Sequence, residues 1–256
     1  MSETDYSRPV RTPLQYVEEW GFDRPAGDHQ EIAQMISAYS PGGKILDLGC
    51  GPMLPAWALF HPAVEKLAGL DRYEANVDFL KEAQTNRSRY STFVEAERMA
   101  KALRQDAPSL DTVYEKTSEV CEGDVMELQQ DWIGAFDVVT QIGCFACLPT
   151  NGDVHIAIKH VADYLRPGGV FLSVMWHAKP DFVEDAVWGG NERTDRKRPI
   201  DAEYVRNVAA GYGLDSLFEA CLPSDETEFY RAFTLQAFQF TPSRLRHVQR
   251  AGLSKN

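Results

Sequence analysis

The stretch that most constrains the fold is Lys44-Ile45-Leu46-Asp47-Leu48-Gly49-Cys50-Gly51-Pro52. Lys44 to Leu48 is a short apolar run of the kind that forms a central parallel strand. Gly49 and Gly51 then allow a sharp turn and bring the backbone within contact distance of a ligand, where a side chain would clash. A second apolar strand, Lys66 to Leu70, runs into Asp71, twenty residues after Gly51. A carboxylate there can accept both hydroxyls of a ribose. A bare Gly-x-Gly says little. Strand, glycine turn, strand and acid in that order are the signature of a nucleoside-binding α/β domain.

The segments on either side extend that frame. Thr12 before Pro13 predicts a helix start, an N-cap with proline in the first turn, with Leu14, Val17 and Trp20 on one face. Asp28 can cap a second helix, apolar at Ile32, Met35 and Ile36, which ends before Ser40-Pro41-Gly42-Gly43. Residues 1–43 are therefore expected to form a helical lid over the sheet. From residue 44 the units alternate, with strands at 44–48, 66–71, about 119–121, 136–141 and 170–175. Helices fall between them at about 53–60, 74–85 and 152–165, and residues 86–116 read as a charged helical insertion, carrying Phe93, Met99 and Leu103, outside the core. A polar loop with Arg193, Arg196, Lys197 and Arg198 leads to a helix at 201–210. The last strands, 214–222 and 229–240, are joined too closely for a helical crossover and must pair as an antiparallel hairpin. The expected fold class is α/β, a seven-stranded, mostly parallel sheet with a reversed last strand. It occupies residues 44–240, with a basic tail at 241–256. A nicotinamide-dependent dehydrogenase is disfavoured, because no catalytic domain follows the nucleotide-binding half.

Composition narrows the partners. A formal net charge of −12 argues against a nucleic-acid backbone as substrate. The start, Met1 to Asp5, is polar and acidic, without the apolar core of a signal peptide, and no stretch is apolar enough to span a bilayer. The expectation is a cytoplasmic protein that engages no membrane. Cys50, Cys121, Cys144, Cys147 and Cys221 are an odd set scattered through predicted strands and their ends, which argues against a disulfide framework. Cys144-Phe-Ala-Cys147 is a lone C-x-x-C, and His155 and His160 stand five apart on one helix, poor spacing for a shared ion. No metal site is expected.

The residues together resemble a class I methyltransferase of Rossmann-like fold that uses S-adenosylmethionine. More narrowly, the chain resembles the small-molecule group of nicotinamide, phenylethanolamine and indolethylamine N-methyltransferases and thioether S-methyltransferase. The likeness covers roughly residues 12–240 and rests on Asp47-Leu-Gly-Cys-Gly-Pro52, Asp71-Arg-Tyr-Glu-Ala-Asn76, Glu122-Gly-Asp-Val125 and Leu165-Arg-Pro-Gly-Gly-Val-Phe-Leu172. Gln15-Tyr-Val-Glu-Glu-Trp20 resembles the family's aromatic lid helix, with Tyr16 at the matching position. The resemblance implies a cofactor set. The methionine portion would lie against Asp47, Gly49, Gly51 and Pro52, with Tyr16 closing over its carboxylate. Asp71, beside Arg72, would hold the ribose hydroxyls and Asn76 would assist. Asp124 would bond the adenine amine, the Val125 backbone would meet a ring nitrogen, and Gln141, Ile142 and Gly143 would line the floor beside the sulfonium. The sequence departs from the family at Pro55 and Gly21, where tyrosines are common, which implies a lid that closes less tightly or draws on Trp20.

Methyl transfer from a sulfonium is an in-line displacement without a covalent enzyme intermediate, so alignment of donor and acceptor can supply about 7–11 kcal/mol of the acceleration. An ammonium acceptor must first lose a proton, which a carboxylate can take directly or through water. Candidates are Asp225 and Glu226 in the final hairpin loop, with Glu228, Asp181 and Glu184 as neighbours, and His177 at the end of strand five as base or donor. Trp176, Tyr204 and Phe182 are the aromatic candidates for holding a flat or cationic acceptor, and Trp188, Phe229 and Tyr230 lie nearby in sequence. The Arg193 to Arg198 cluster can read an acceptor carboxylate or remain a solvated loop. The expected activity is N-methylation of a small amine or N-heterocycle. O- or S-methylation, a macromolecular acceptor, and a cofactor-binding protein without turnover are the alternatives.

Overall fold

The structure, a computed structural model, describes residues 10–23, 27–178, 187–188, 200–224 and 230–242. One sheet holds seven strands: β1 (Gly43–Leu48), β2 (Val64–Asp71), β3 (Thr117–Glu122), β4 (Phe136–Ile142), β5 (Leu165–Ala178), β6 (Leu214–Pro223) and β7 (Tyr230–Phe240). Their order across the sheet is β3-β2-β1-β4-β5-β7-β6. The first five pair parallel, and β7 runs antiparallel to both β5 and β6, as the short hairpin link requires. The winding direction reverses between β1 and β4. In an open α/β sheet that reversal leaves a crevice at the carboxyl ends of the strands. Val10–Arg11 and Val187–Trp188 form a separate parallel ribbon.

Strand periodicity of two gives the sheet two apolar faces. Ile45, Val138, Leu172 and Val174 belong to one core, and Leu46, Val139, Phe171 and Met175 to the other. The first is covered by α1 (Pro13–Glu19), α2 (Gly27–Tyr39), α3 (Leu54–Ala58), α4 (Glu74–Asn86), α5 (Ser91–Leu103) and α6 (Leu110–Lys116). The second is covered by α7 (Asn151–Tyr164) and α8 (Ala202–Gly211). No helix among the described residues is long and apolar enough to cross a membrane.

Local signals at the first two helices read correctly for α1 and less so for α2. Thr12 and Gln15 form a reciprocal capping box, with Pro13 opening the helix. Val17 is buried, whereas Leu14 is 42 % exposed and leaves the expected face. Asp28 lies inside the first turn of α2, and its side chain reaches across to the end of the sheet instead of capping.

The insertion is a correction. Phe93, Ala96, Ala100, Leu110 and Val113 are fully buried in the first core, so α5 and α6 are part of it. Their other faces carry charged pairs such as Lys101–Glu97 and Arg98–Glu95, and that charge hides a narrow apolar stripe. The same insertion explains Gly21. A Cβ there would lie 2.3 Å from Thr92 Oγ1 on α5, the hydroxyl that accepts the Phe22 N–H at 2.5 Å.

Candidate functional site

The turn after β1 is tied to the end of β2. The Gly49 and Cys50 N–H groups both donate to the Leu70 carbonyl, at 2.7 and 3.1 Å, and the Gly51 N–H donates to Asp71 Oδ2 at 2.7 Å. Gly49 sits at φ +63° and Gly51 at +52°, in the left-handed region. A Cβ on Gly49 would lie 2.5 Å from Cys144 Sγ, while one on Gly51 would meet nothing within 4 Å. The first glycine is required by packing and by backbone angle. The second leaves open space over the turn.

Two buried acids flank it. Asp71 Oδ1 accepts the Tyr73 N–H at 2.9 Å and the Asn76 amide at 3.1 Å, besides the Gly51 bond on Oδ2. A carboxylate offers about four acceptor positions, so these three donors leave room for one ribose hydroxyl, not the two a free carboxylate would serve. Burial pushes the Asp71 pKa up against those hydrogen bonds and the Arg72 charge. Asp47 Oδ1 accepts the Thr140 hydroxyl at 2.7 Å across the β1–β4 pair. Burial outweighs that bond and, with the Asp71 charge adding, raises Asp47 to about 7.

Two cavities meet at Gly49. One, of about 890 Å³, runs past Arg72, Asp124, Val125, Met126 and Cys144. The Asp124 carboxylate there accepts the Met126 N–H at 2.9 Å. The other, smaller one lies between the turn, α1, α2 and the ends of β4 and β5. Tyr16, Asp47, Gly51 and Ile142 line it together with Trp20, Trp57, Trp176 and Tyr230. Trp176 Nε1 donates to Asp28 Oδ2 at 3.0 Å, and the Ser224 hydroxyl donates to the same oxygen at 2.6 Å. The indole also covers Gly143, where a Cβ would approach it to 3.1 Å. Tyr230 stands 6.2 Å from the Trp176 ring and 6.1 Å from Trp20.

The sequence-predicted cofactor residues thus gather at one place, with Asp71 and Asn76 behind the turn and Pro52 buried at the start of the short helix Gly51–Met53. Three predicted residues do not join them. Gln141 is fully buried, its amide donating to Ser173 Oγ at 2.7 Å and the Val174 carbonyl at 3.0 Å while it accepts the Phe145 N–H at 3.0 Å. Its side chain braces the strand end instead of lining a floor. His177 follows Trp176 on β5 and so points to the opposite face, where it bonds Thr234 Oγ1 at 2.7 Å. Burial lowers its pKa, Arg231 adds to that, and Asp201 opposes. Tyr204 lies on α8 with its hydroxyl on the Asn151 carbonyl at 2.7 Å, on the second face of the sheet. Asp225, Glu226 and Phe182 lie outside the described residues, as do Asp181, Glu184, Glu228, Phe229 and the Arg193 to Arg198 cluster.

Sequence reasoning passed over His29, Met53 and Trp57, which line the second cavity. Trp57 and Met53 looked like ordinary core residues, and His29 carries no local motif. All five cysteines are free, and among the described residues no group of three or more His, Cys, Asp or Glu could hold a metal ion.

Comparison with known proteins agrees with this architecture. The profile of a family described as "Methyltransferase domain" matches residues 17–217. No curated protein matches the chain. Among similar solved structures is the [4+2]-cyclase SpnF, with a TM-score of 0.58 and 12% identity over 91% of this chain and 98% of that one. A SAM-dependent methyltransferase from Methanosarcina mazei gives 0.55 and 14% over 81% and 97%. The N-methyltransferase NodS from Bradyrhizobium japonicum WM9 gives 0.54 and 13% over 86% and 97%. At such identities the likeness is one of fold, and the presence of a cyclase underlines that a fold does not set a reaction.

Proposed function

Because this chain belongs to the family of methyltransferase domains, we propose that it methylates a nitrogen of a small amine or N-heterocycle. S-adenosylmethionine is the donor and supplies a methyl group on a sulfonium, which a nucleophile's lone pair displaces in line. The observation that carries the small-molecule reading is the pair of cavities meeting at Gly49, the larger running past Asp124 and Val125, the smaller walled by Trp20, Trp57, Trp176 and Tyr230. Mostly apolar and aromatic walls with a few polar groups among them are the make-up of a small-ligand site.

In this reading the larger cavity takes the adenosine, with Asp124 and the Val125 backbone at the base, and Asp71, backed by Asn76, accepts one ribose hydroxyl. The open space over Gly51 is where the ligand backbone can approach. Asp47 faces the cationic methionine portion, and Tyr16 closes over it from α1. The smaller cavity takes the acceptor against Trp176 and Tyr230, whose enclosure excludes water and aligns the reacting atoms. Asp225 and Glu226, in the connection from β6 to β7, are the proposed proton acceptors. Pro52 after the glycine turn favours the narrower group of amine and thioether methyltransferases. Residues 1–43 act as the lid of a core spanning 44–240.

The Asp47 assignment has a pH signature. A carboxyl raised to about 7 is neutral below that pH and charged above it, and only the charged form attracts an ammonium or sulfonium. Affinity for S-adenosylhomocysteine, which keeps the ammonium, is therefore expected to rise about tenfold per pH unit on approaching pH 7 from below and to level off above it. Asp47→Asn is expected to flatten the profile. Calorimetric titration of both proteins across that range decides it, and an unchanged slope in the variant would remove Asp47 from the site.

The reaction itself is tested by transfer of labelled methyl from S-adenosylmethionine to a panel of primary amines, pyridines, indolethylamines, amino acids, thioethers and phenols, with mass spectrometry of products. Label on a nitrogen is the expected result. Label on sulfur or oxygen would correct the acceptor atom, and intact S-adenosylhomocysteine binding without any product would favour a non-catalytic binding protein.

A further inference from the structure

Asp28 stands in the first turn of α2 and is 3 % exposed. Its Oδ2 accepts two hydrogen bonds from residues far away in sequence, one from Trp176 Nε1 at 3.0 Å and one from the Ser224 hydroxyl at 2.6 Å. Trp176 lies near the end of β5, while Ser224 directly follows β6 and precedes Asp225 in the chain. One oxygen therefore joins α2, the end of β5 and the start of the β6–β7 connection. The indole is confined at its other edge as well. Its six-membered ring lies over Gly143, where a Cβ would come within 3.1 Å of Cζ3 and 3.3 Å of Cε3. A ring bonded at one edge and seated on a glycine at the other has little freedom to turn. That ring is a wall of the smaller cavity, whose described lining residues do not include Asp28.

We propose that Asp28 is a positioning residue for methyl transfer, holding the Trp176 indole in the orientation that receives the acceptor and tying it to the root of the connection that carries Asp225 and Glu226. The proposal rests on the methyl-transfer reading above and deepens it, because it names what sets the acceptor side of the site. In that reading the first product of transfer to an amine or N-heterocycle is a cation, which aromatic walls attract only while a ring face stays close to the charge. An indole released from Asp28 loses that placement. The glycine turn, Asp71 and Asp124 take no part in these bonds, so cofactor affinity is not expected to follow.

The test titrates 1-methylquinolinium, a flat cation of the kind the transfer would leave, into S-adenosylhomocysteine complexes by calorimetry. The proteins compared are wild type, Asp28→Ala, Asp28→Asn, Trp176→Phe and the Asp28→Ala/Trp176→Phe double variant. Asp28→Ala is expected to bind the quinolinium about tenfold more weakly than wild type, with S-adenosylhomocysteine affinity changed by less than about threefold. Asp28→Asn, whose carbonyl oxygen can still accept both donors, is expected to retain most of the affinity. Phenylalanine offers Asp28 no N–H to hold. Asp28→Ala is therefore expected to cost less than about threefold more in the Trp176→Phe background, whereas a general structural role would make the two losses add. In wild type labelled with ¹⁵N-tryptophan, the indole proton whose signal is missing from Trp176→Phe is expected to exchange with water about tenfold or more slowly than that of free indole. This readout stands even if Asp28→Ala does not fold. Unchanged quinolinium binding in Asp28→Ala, an equal loss of both ligands, an Asp28→Asn loss as large as that of Asp28→Ala, additive losses in the double variant, or free-like exchange of the Trp176 proton would overturn the proposal. A wild-type complex that does not bind the quinolinium would overturn it too. Wild type that binds no S-adenosylhomocysteine would overturn the methyl-transfer reading beneath it, a distinguishable result.

Discussion

Asp71→Ala is expected to weaken S-adenosylhomocysteine binding by about 100-fold and to lower the melting temperature of the ligand-free protein as well. The substitution removes the acceptor for the Gly51 N–H, the Tyr73 N–H and the Asn76 amide at once. Buried donors stripped of their acceptor cost about 1–3 kcal/mol each, less where water can enter. The Gly51 bond matters most to function, because it ties the glycine turn to the end of β2, and a loosened turn no longer presents a preformed surface. The proposed ribose contact disappears in the same step. Asp71→Asn separates the two effects. Its remaining carbonyl oxygen can satisfy one or two of the donors, but its amide points a hydrogen at another, so a smaller loss in both stability and affinity is expected. Near-normal affinity in Asp71→Ala, measured by calorimetry with thermal unfolding in parallel, would mean that the nucleoside lies elsewhere.

The elements that carried the most local information were the ones read most faithfully. Lys44 to Asp71 declares two buried strands and a glycine turn through composition alone, and the hairpin 214–240 declares its direction through the shortness of its link. The charged insertion was misjudged because α5 buries a stripe only as wide as Phe93, Ala96 and Ala100, while ion-paired residues fill the rest of its surface. At the site, most of the residues predicted for the cofactor stand together because they lie at or just after strand ends that the fold aligns. His177 and Trp176 show the limit of such reasoning. Strand periodicity says that neighbours point to opposite faces, but which of the two faces the cleft is set by the phase of β5 against its partners. The places taken by Asp28, read only as a helix cap, and by His29 were hidden for a different reason. Their places are fixed by contacts with Trp176, Ser224 and Trp57, far away in sequence, and no local pattern announces a tertiary contact.

Gly49→Ala and Gly51→Ala, two residues apart in one turn, are expected to differ by far more than their shared chemistry suggests. Both positions have positive φ, and an alanine forced into the left-handed region costs about 1–2 kcal/mol. For Gly51 that is the whole steric cost, because an added Cβ meets no atom within 4 Å. Gly51→Ala is expected to fold, to unfold a few degrees lower, and to bind S-adenosylhomocysteine poorly, since the methyl occupies the space over the turn. For Gly49 the added Cβ lies 2.5 Å from Cys144 Sγ and 2.6 Å from its Cβ, inside any tolerable contact. Cys144 borders the larger cavity, so its Sγ can swing aside, but its Cβ cannot move without the backbone, and overpacking of that kind adds about 1–3 kcal/mol. The Gly49 amide is also fixed by the Leu70 carbonyl at 2.7 Å, so the turn cannot back away without breaking its tie to β2. Gly49→Ala is therefore expected to lose most of its soluble, folded yield. Adding Cys144→Gly, which removes both offending atoms, is expected to restore part of the stability but not the share due to φ. Urea unfolding of the single and double variants measures the division. If Gly49→Ala proves no less stable than Gly51→Ala, the packing of the turn against Cys144 is wrong, and with it the position of the boundary between the two cavities.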